Sequence, residues 1–309
     1  IIMFPILSLF FKLSVILIFI MMDTTVHQLT ENLNSEHVDL SENLCCLPNG
    51  KMFRRKDVKH HGKRPEFKKE IVVVIPTILR KKNGYQNFTY IVETLQSALR
   101  NVDNGVHFVV HIGHTEKEKR KIILDVLNFN FKRYMDDGVL HVIELGENDF
   151  TTPKYIPPST FDDTKGRILW RSRHNLHLAF LYTYLSGYAK YILHLEDDVI
   201  ANSDYLKTIR KHIKSCSDVI WYQLRFSNYY GDIGILFPAY FLDHMAKLHR
   251  ALYLELPCDM LRNRIIKRAF KNELSNPPWV LGCPRLKLRS PLFSHIGIIS
   301  SLDKSNLSK

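Results

Sequence analysis

The chain opens on a nearly unbroken apolar run, residues 1–22, in which Ser8, Lys12 and Ser14 are the only polar side chains. Its length just suffices to cross a bilayer as a helix. The pattern predicts a membrane-targeting segment, retained as a signal anchor because no small-residue cleavage site follows Met22. Residues 23–70 are polar, without strand or helix periodicity, and read as a solvated stem. At Ile71 the pattern changes: Ile71-Val72-Val73-Val74-Ile75 is a β-branched run ended by Pro76, as in a strand buried on both faces. Helical spacing follows over 89 to about 100, then a strand over 106–112, a helix over 116–128 and a strand over 139–145. A proline-containing loop spans 146 to about 165, before a helix over about 170–184 and an apolar strand over 188–195. Strands alternating with helices predict an α/β domain over 71–309 with a mostly parallel central sheet and flanking helices.

In such sheets ligands bind beyond the carboxyl ends of the strands. The strand over 188–195 runs directly into Glu196-Asp197-Asp198. Three Asp-Asp pairs occur, and context separates them. Asp136-Asp137 precedes Gly138 and reads as a turn, while Asp162-Asp163 precedes Thr164-Lys165 and reads as a cap for the next helix. Only Asp197-Asp198 ends a buried strand. Carboxylates clustered there repel one another unless a cation neutralises them, and hard oxygen ligands suit Mg²⁺ or Mn²⁺ bridging a diphosphate. The bland alternative is a set of solvated acids; His194 beside them reads as a core histidine. GxxxxGK[ST], GxGxxG after a strand, HExxH and GxSxG are all missing from the sequence. A P-loop ATPase, a dinucleotide-binding dehydrogenase, a zincin and a serine hydrolase are therefore not indicated. A nucleotide-diphosphate donor held by a divalent cation is the reading that remains.

Composition narrows the picture further. With 309 residues, 45% hydrophobic, the chain is long and apolar enough for a substantial core. Half of the net charge of +12 lies between Lys51 and Glu70, where nine Lys and Arg face three acids. No aromatic platform or recognition-helix pattern accompanies that tract, so no nucleic-acid partner is expected. The five cysteines, Cys45, Cys46, Cys216, Cys258 and Cys283, contain no C-x-x-C, which excludes a zinc ribbon or thioredoxin motif and leaves a Cys258–Cys283 disulfide as an open pairing. The sequons at Asn87 and Asn306 are compatible with a lumenal domain.

A co-linear set of segments carries a family resemblance. These are Ile75-Pro76-Thr77 with Arg80, Trp170-Arg171-Ser172-Arg173-His174-Asn175-Leu176, Tyr191 through Asp198, Leu224-x-Phe226-Ser227, Pro257-Cys258-Asp259-Met260-Leu261, and Pro291-Leu292-Phe293-x-His295-x-Gly297-x-x-Ser300-Ser301. Over roughly 71–301 they resemble the N-acetylglucosaminyltransferase IV family of Golgi N-glycan branching enzymes. The resemblance implies a GT-A type glycosyltransferase fold, UDP-GlcNAc as donor, Mn²⁺, and β1,4 transfer to the α1,3-arm mannose of an N-glycan or glycoprotein acceptor. It implies Asp198 as the metal ligand, Glu196 and Asp197 lining the uridine and diphosphate side, Thr77 and Arg80 approaching the nucleotide, His295 contacting the diphosphate, and Asp259 as the base. Read without the family, Asp259 is equally an N-cap for a helix over 260–269, and His295 a packed histidine. The implied location is the Golgi membrane, single-pass type II with a lumenal catalytic domain.

The sequence departs from the family at Arg225, where Glu is expected, at Met260 for Trp, and at Asn263 for an acid. It also resembles the shorter members, those without a carboxyl-terminal lectin-like domain. Those departures motivate an alternative reading, a non-catalytic Golgi homologue that binds and regulates other glycosyltransferases.

Overall fold

The computed structural model describes residues 44–82, 86–146, 149, 156, 163–219, 221–228, 231–263, 283, 288 and 290–299. The chain divides into Ile1–Val38 and Asp39–Lys309, and every described residue belongs to the second unit. The apolar run 1–22 and the sequon at Asn306 lie outside the described residues. Among the described residues no helix is long and apolar enough to cross a membrane.

The chain begins with β1 (Leu44–Cys46), β2 (Met52–Arg54) and β3 (His60–His61), then enters the central strand β4 (Lys69–Thr77). A short hairpin, β5 (Arg80–Lys82) and β6 (Gln86–Phe88), leads to helix α1 (Ile91–Ala98). There follow β7 (Val106–Ile112), α2 (Lys117–Asp136), β8 (Leu140–Glu144), α3 (Lys165–Leu185) and β9 (Ala189–His194). The remainder comprises β10 (Val199–Ala201), α4 (Tyr205–Ser215), β11 (Leu224–Arg225), β12 (Ile235–Pro238), α5 (Leu242–Ala251), a helical stretch at 258–263 and β13 (Phe293–His295).

Seven strands form one sheet in the order β11-β12-β9-β4-β7-β8-β3. β4 pairs parallel with β7 and β9, and β7 parallel with β8, whereas β3, β12 and β11 join antiparallel. The α/β class expected from the alternation is present, but the sheet is mixed: parallel at its centre and antiparallel at both flanks. β4 shows why the centre was readable. Ile71, Val73 and Ile75 face one hydrophobic cluster with α1 and α2, while Val72 and Val74 face a second with α3 and α5. A strand covered by helices on both faces needs apolar side chains at every position.

Helix boundaries differ from the apolar pattern for local reasons. α3 starts at Lys165 because Thr164 caps it, its hydroxyl accepting from the Arg167 amide at 3.3 Å. Asp163, expected as a cap, instead pairs with Arg167 and Arg171. α2 runs on to Asp136 because Phe131 and Met135 extend the buried stripe of Ile123 and Leu127 past a kink at Phe131.

Two expectations are corrected. The stem was expected to reach residue 70, yet β3 is the edge strand of the main sheet, and Cys45, Leu47 and Val58 belong to a core cluster. Arg55, one of the nine cations of the supposed linker, is fully buried. Its guanidinium donates to the Ser186 carbonyl and lies 4.6 Å from the Tyr188 ring centroid. A burial of that kind leaves no trace in hydropathy. The disulfide joins Cys216 to Cys283, not Cys258 to Cys283; Cys258 lies against Asp232 instead.

Arg55→Ala should therefore destabilise the domain by about 2–4 kcal/mol, through a lost desolvated cation–π contact and an orphaned carbonyl. Urea unfolding of the intact chain checks this; an unchanged midpoint would return the segment to a solvated role.

Candidate active site

Because β4, β7, β8 and β9 run parallel, their carboxyl ends share one sheet edge. β11 and β12 run antiparallel to their neighbours, so Arg225 and the 231–234 turn reach that same edge. There the chain leaves β9 as Glu196-Asp197-Asp198 and returns through β10, which pairs with β13 in the register Val199↔His295.

The three acids have different surroundings. Asp197 is 4% exposed and its two oxygens are fully engaged. Oδ2 accepts from Thr77 Oγ1 at 2.7 Å and Arg80 Nη1 at 2.9 Å, and Oδ1 from Arg80 Nη2 at 2.7 Å. Thr94 Oγ1 donates to the Asp197 carbonyl at 2.7 Å, and the Arg80 guanidinium lies 5.1 Å from the Tyr90 ring centroid. Thr77 and Arg80, expected to approach a nucleotide, are buried and turned onto Asp197. The bidentate pair ties the end of β4 to the end of β9.

Glu196, Asp198 and His295 form a separate group whose ligating atoms all lie within 4.8 Å of one another. His295 Nε2 is 3.3 Å from Asp198 Oδ2. Asp198 Oδ1 is buried without a hydrogen-bond partner among the described residues. Two glycines keep the space over these acids clear. A Cβ at Gly297 would lie 2.0 Å from Asp198 Oδ2, and one at Gly231, whose φ is +99°, would lie 2.5 Å from Glu196 Oε1. Two carboxylates and an imidazole converging on a cleared space, with one buried oxygen unpaired, fit a divalent cation such as Mn²⁺.

The electrostatics point the same way. Burial, reinforced by the charges of Asp232, Asp198 and Asp197, pushes the Glu196 carboxyl up to about 8. Burial and the neighbouring Asp197 charge raise Asp198 as well, against the pull of Arg80 and His295. Asp232, not identified from sequence, donates its amide to Glu196 Oε1 at 2.8 Å and forms a buried ion pair with Arg262. The Arg262 charge holds the Asp232 carboxyl well below its usual range despite complete burial. His194 is a core histidine as expected; burial takes it down to about 4.

Asp259 is the second residue of the helical stretch 258–263, inside the helix and not at its N-cap. It is 7% exposed, and its Oδ2 is buried without a hydrogen-bond partner among the described residues. Arg262, one turn further along, joins that helix to Asp232 and so to Glu196. Arg225 donates to the Gly231 carbonyl at 3.0 Å, and its charge interacts with Asp232, Asp259 and Glu196. Three acids of this region are placed for binding or proton transfer: Glu196 and Asp198, which converge with His295, and Asp259, which shares the field of Arg225 with Glu196.

The raised Glu196 carboxyl has a consequence for stability. Between about pH 4.5 and 8 the folded, cation-free chain holds a proton that the unfolded chain releases, so this contribution is complete below about 4.5 and lost as pH rises through 8. Glu196→Gln should remove a pH-dependent loss on the order of 4 kcal/mol. Urea unfolding with chelator at pH 5 and pH 8 measures it; identical slopes in both proteins would contradict the assignment.

The comparisons with known proteins agree with the motif resemblance. Residues 45–308 match the family described as the MGAT4 conserved region. Alpha-1,3-mannosyl-glycoprotein 4-beta-N-acetylglucosaminyltransferase A of Rattus norvegicus is 31% identical over 254 residues, covering 75% of this chain and 44% of that protein. The C enzyme of that name from Danio rerio is 27% identical over 239 residues, covering 76% and 48%. The chain spans less than half the length of these curated relatives. Among solved structures, S. aureus TarS 1-349 aligns at a TM-score of 0.34 and 12% identity over 67% of each chain, a likeness too distant to bear on the site. The family match covers residues 45–308 of the 309, well over half of the chain, and on that ground the chain belongs to the MGAT4 family.

Proposed function

We propose that the chain is an inverting glycosyltransferase of GT-A type that moves N-acetylglucosamine from UDP-GlcNAc, in β1,4 linkage, to the α1,3-arm mannose of an N-glycan. The observation that carries this reading is the converging Glu196–Asp198–His295 set, together with an Asp259 oxygen that is buried without a hydrogen-bond partner among the described residues and shares the field of Arg225 with Glu196. Family membership supports the transferred sugar and the acceptor class, as the relatives' names state them.

A β product from an α-linked sugar nucleotide requires inversion, hence one in-line displacement. The acceptor oxygen bonds to the anomeric carbon as the bond from that carbon to UDP breaks, and the hydroxyl proton passes to a base. Asp259 would take the proton: its orphaned oxygen accepts a hydroxyl without displacing an existing partner. Glu196, Asp198 and His295 would hold Mn²⁺, which when bound supplies positive charge against the departing diphosphate. Asp197 contributes indirectly, by fixing the β9 exit through Arg80 and Thr77. In this reading residues 1–22 anchor the domain in the Golgi membrane with the catalytic body in the lumen.

Arg225 favours a second reading, a homologue that keeps the fold and regulates other glycosyltransferases. Its cation stands where the resemblance implies Glu, close enough to act on Asp259 and Glu196.

Incubating the intact chain with Mn²⁺, UDP-GlcNAc and a panel of N-glycans should give β1,4 transfer; no transfer to any acceptor would favour the second reading. Asp259→Ala should lower turnover by roughly 10²–10⁴ with UDP binding nearly intact. By calorimetry, Asp198→Ala should abolish the Mn²⁺ dependence of UDP binding, and retained dependence would remove Asp198 from the cation set.

A further inference from the structure

The Trp170–Leu176 segment is one of the chain's most distinctive motifs: its His174 meets Cys258 Sγ at 3.9 Å and feels the charges of Asp232, Asp259 and Asp197, while Arg171 and Asn175 grip a different stretch of chain. Arg171 and Asn175 lie one turn apart on α3, both buried. Their donors converge on four successive carbonyls. Asn175 Nδ2 donates to Tyr253 at 2.9 Å and Leu256 at 2.8 Å, and Arg171 Nη2 to Glu255 at 3.1 Å and, more weakly, Leu254 at 3.4 Å. Asp163 holds the other arm of Arg171, and the side-chain Oδ1 of Asn175 meets His249 Nδ1 at 3.1 Å. The gripped turn ends at Leu256, and Asp259 follows three residues later.

The helix that carries Asp259 is held a second time. Arg262 pairs with Asp232, and the Asp232 amide bonds Glu196 Oε1. The helix is therefore fixed at its entry by α3 and at its next turn by the residue that touches the cation set. Among the described residues no hydrogen bond holds the buried Asp259 Oδ2, so the bonds at either end of its helix fix where that oxygen sits.

We propose that Arg171 and Asn175 are positioning residues: through the 253–256 carbonyls they set the stance of Asp259 relative to Glu196, Asp198 and His295. The inference rests on the reading of Asp259 as the base, and it assigns the α3 motif to the acceptor side of the reaction.

The test uses the intact chain with Asn175→Asp, which keeps volume but removes both donors, and Arg171→Lys, which keeps the charge facing Asp163 but loses the fork. If one variant does not accumulate as folded protein, the other carries the test. Transfer turnover should fall on the order of 10²-fold, as for a reacting group misplaced by about 1 Å, while Mn²⁺-dependent UDP affinity is unchanged. In an Asp259→Ala background neither variant should lower residual transfer further, since each acts through that side chain. Amide exchange over 258–263 should accelerate about tenfold without change at 196–198. Donor affinity falling in parallel with turnover, multiplicative losses on Asp259→Ala, or unaltered exchange over 258–263 would each overturn the proposal. A wild-type chain that transfers no sugar, but whose 258–263 exchange responds to Asn175→Asp, would refute the base assignment and leave the brace standing.

Discussion

Four carboxylates, Glu196, Asp197, Asp198 and Asp232, are drawn into one desolvated corner at the carboxyl edge of the sheet, and they cannot all be charged there uncompensated. The chain divides its cations unevenly among them. Asp197 receives the fork of Arg80, and Asp232 receives Arg262. Among the described residues no arginine forms an ion pair with Glu196, which feels only the more distant charge of Arg225, and Asp198 meets Arg80 only at 3.3 Å. The two under-compensated acids are the two whose carboxyls are raised, and they are also the two that join His295. Arginine is spent on the acids that hold the scaffold and withheld from those that face the cleared space. That partition separates scaffold from chemistry within a single tripeptide.

The parts of this arrangement visible in the sequence were those encoded by contiguous residues. β4 and β7 are runs of β-branched and apolar side chains because helices cover both faces, and the triplet stands out because it ends such a run. The partition within the triplet was not visible. Which of three adjacent acids meets Arg80 depends on how β4 and β9 align, a long-range register that no local pattern records. His295 joins Glu196 and Asp198 only because β13 pairs with β10. Asp232 and Arg262 carried no signal at all, being ordinary charged residues until the fold buries them together. The basic tract misled for the converse reason: most of its cations are solvated, and the one that matters, Arg55, is indistinguishable from them by type.

Arg225 illustrates how a departure from a family pattern can be structurally quiet. Its guanidinium bonds the carbonyl of Gly231, the glycine whose missing side chain leaves room for Glu196. The change from the implied acid to a base therefore leaves the backbone of the cleft supported while reversing one charge beside Asp259. Such a reversal is felt as a change of field at Asp259 and Glu196, not as a break in the backbone that carries them.

The Cys216–Cys283 bridge bears on how durable the cation set is. β13 is only three residues long and pairs with a strand equally short, so on its own it would fray readily. The crosslink fastens the chain ten residues upstream of Phe293 to the end of α4. A detached β13 is thereby confined to a small volume, and its imidazole re-encounters the carboxylates at high effective concentration. The bridge thus keeps His295 within reach of Glu196 and Asp198, with an oxidising compartment as the condition for its formation.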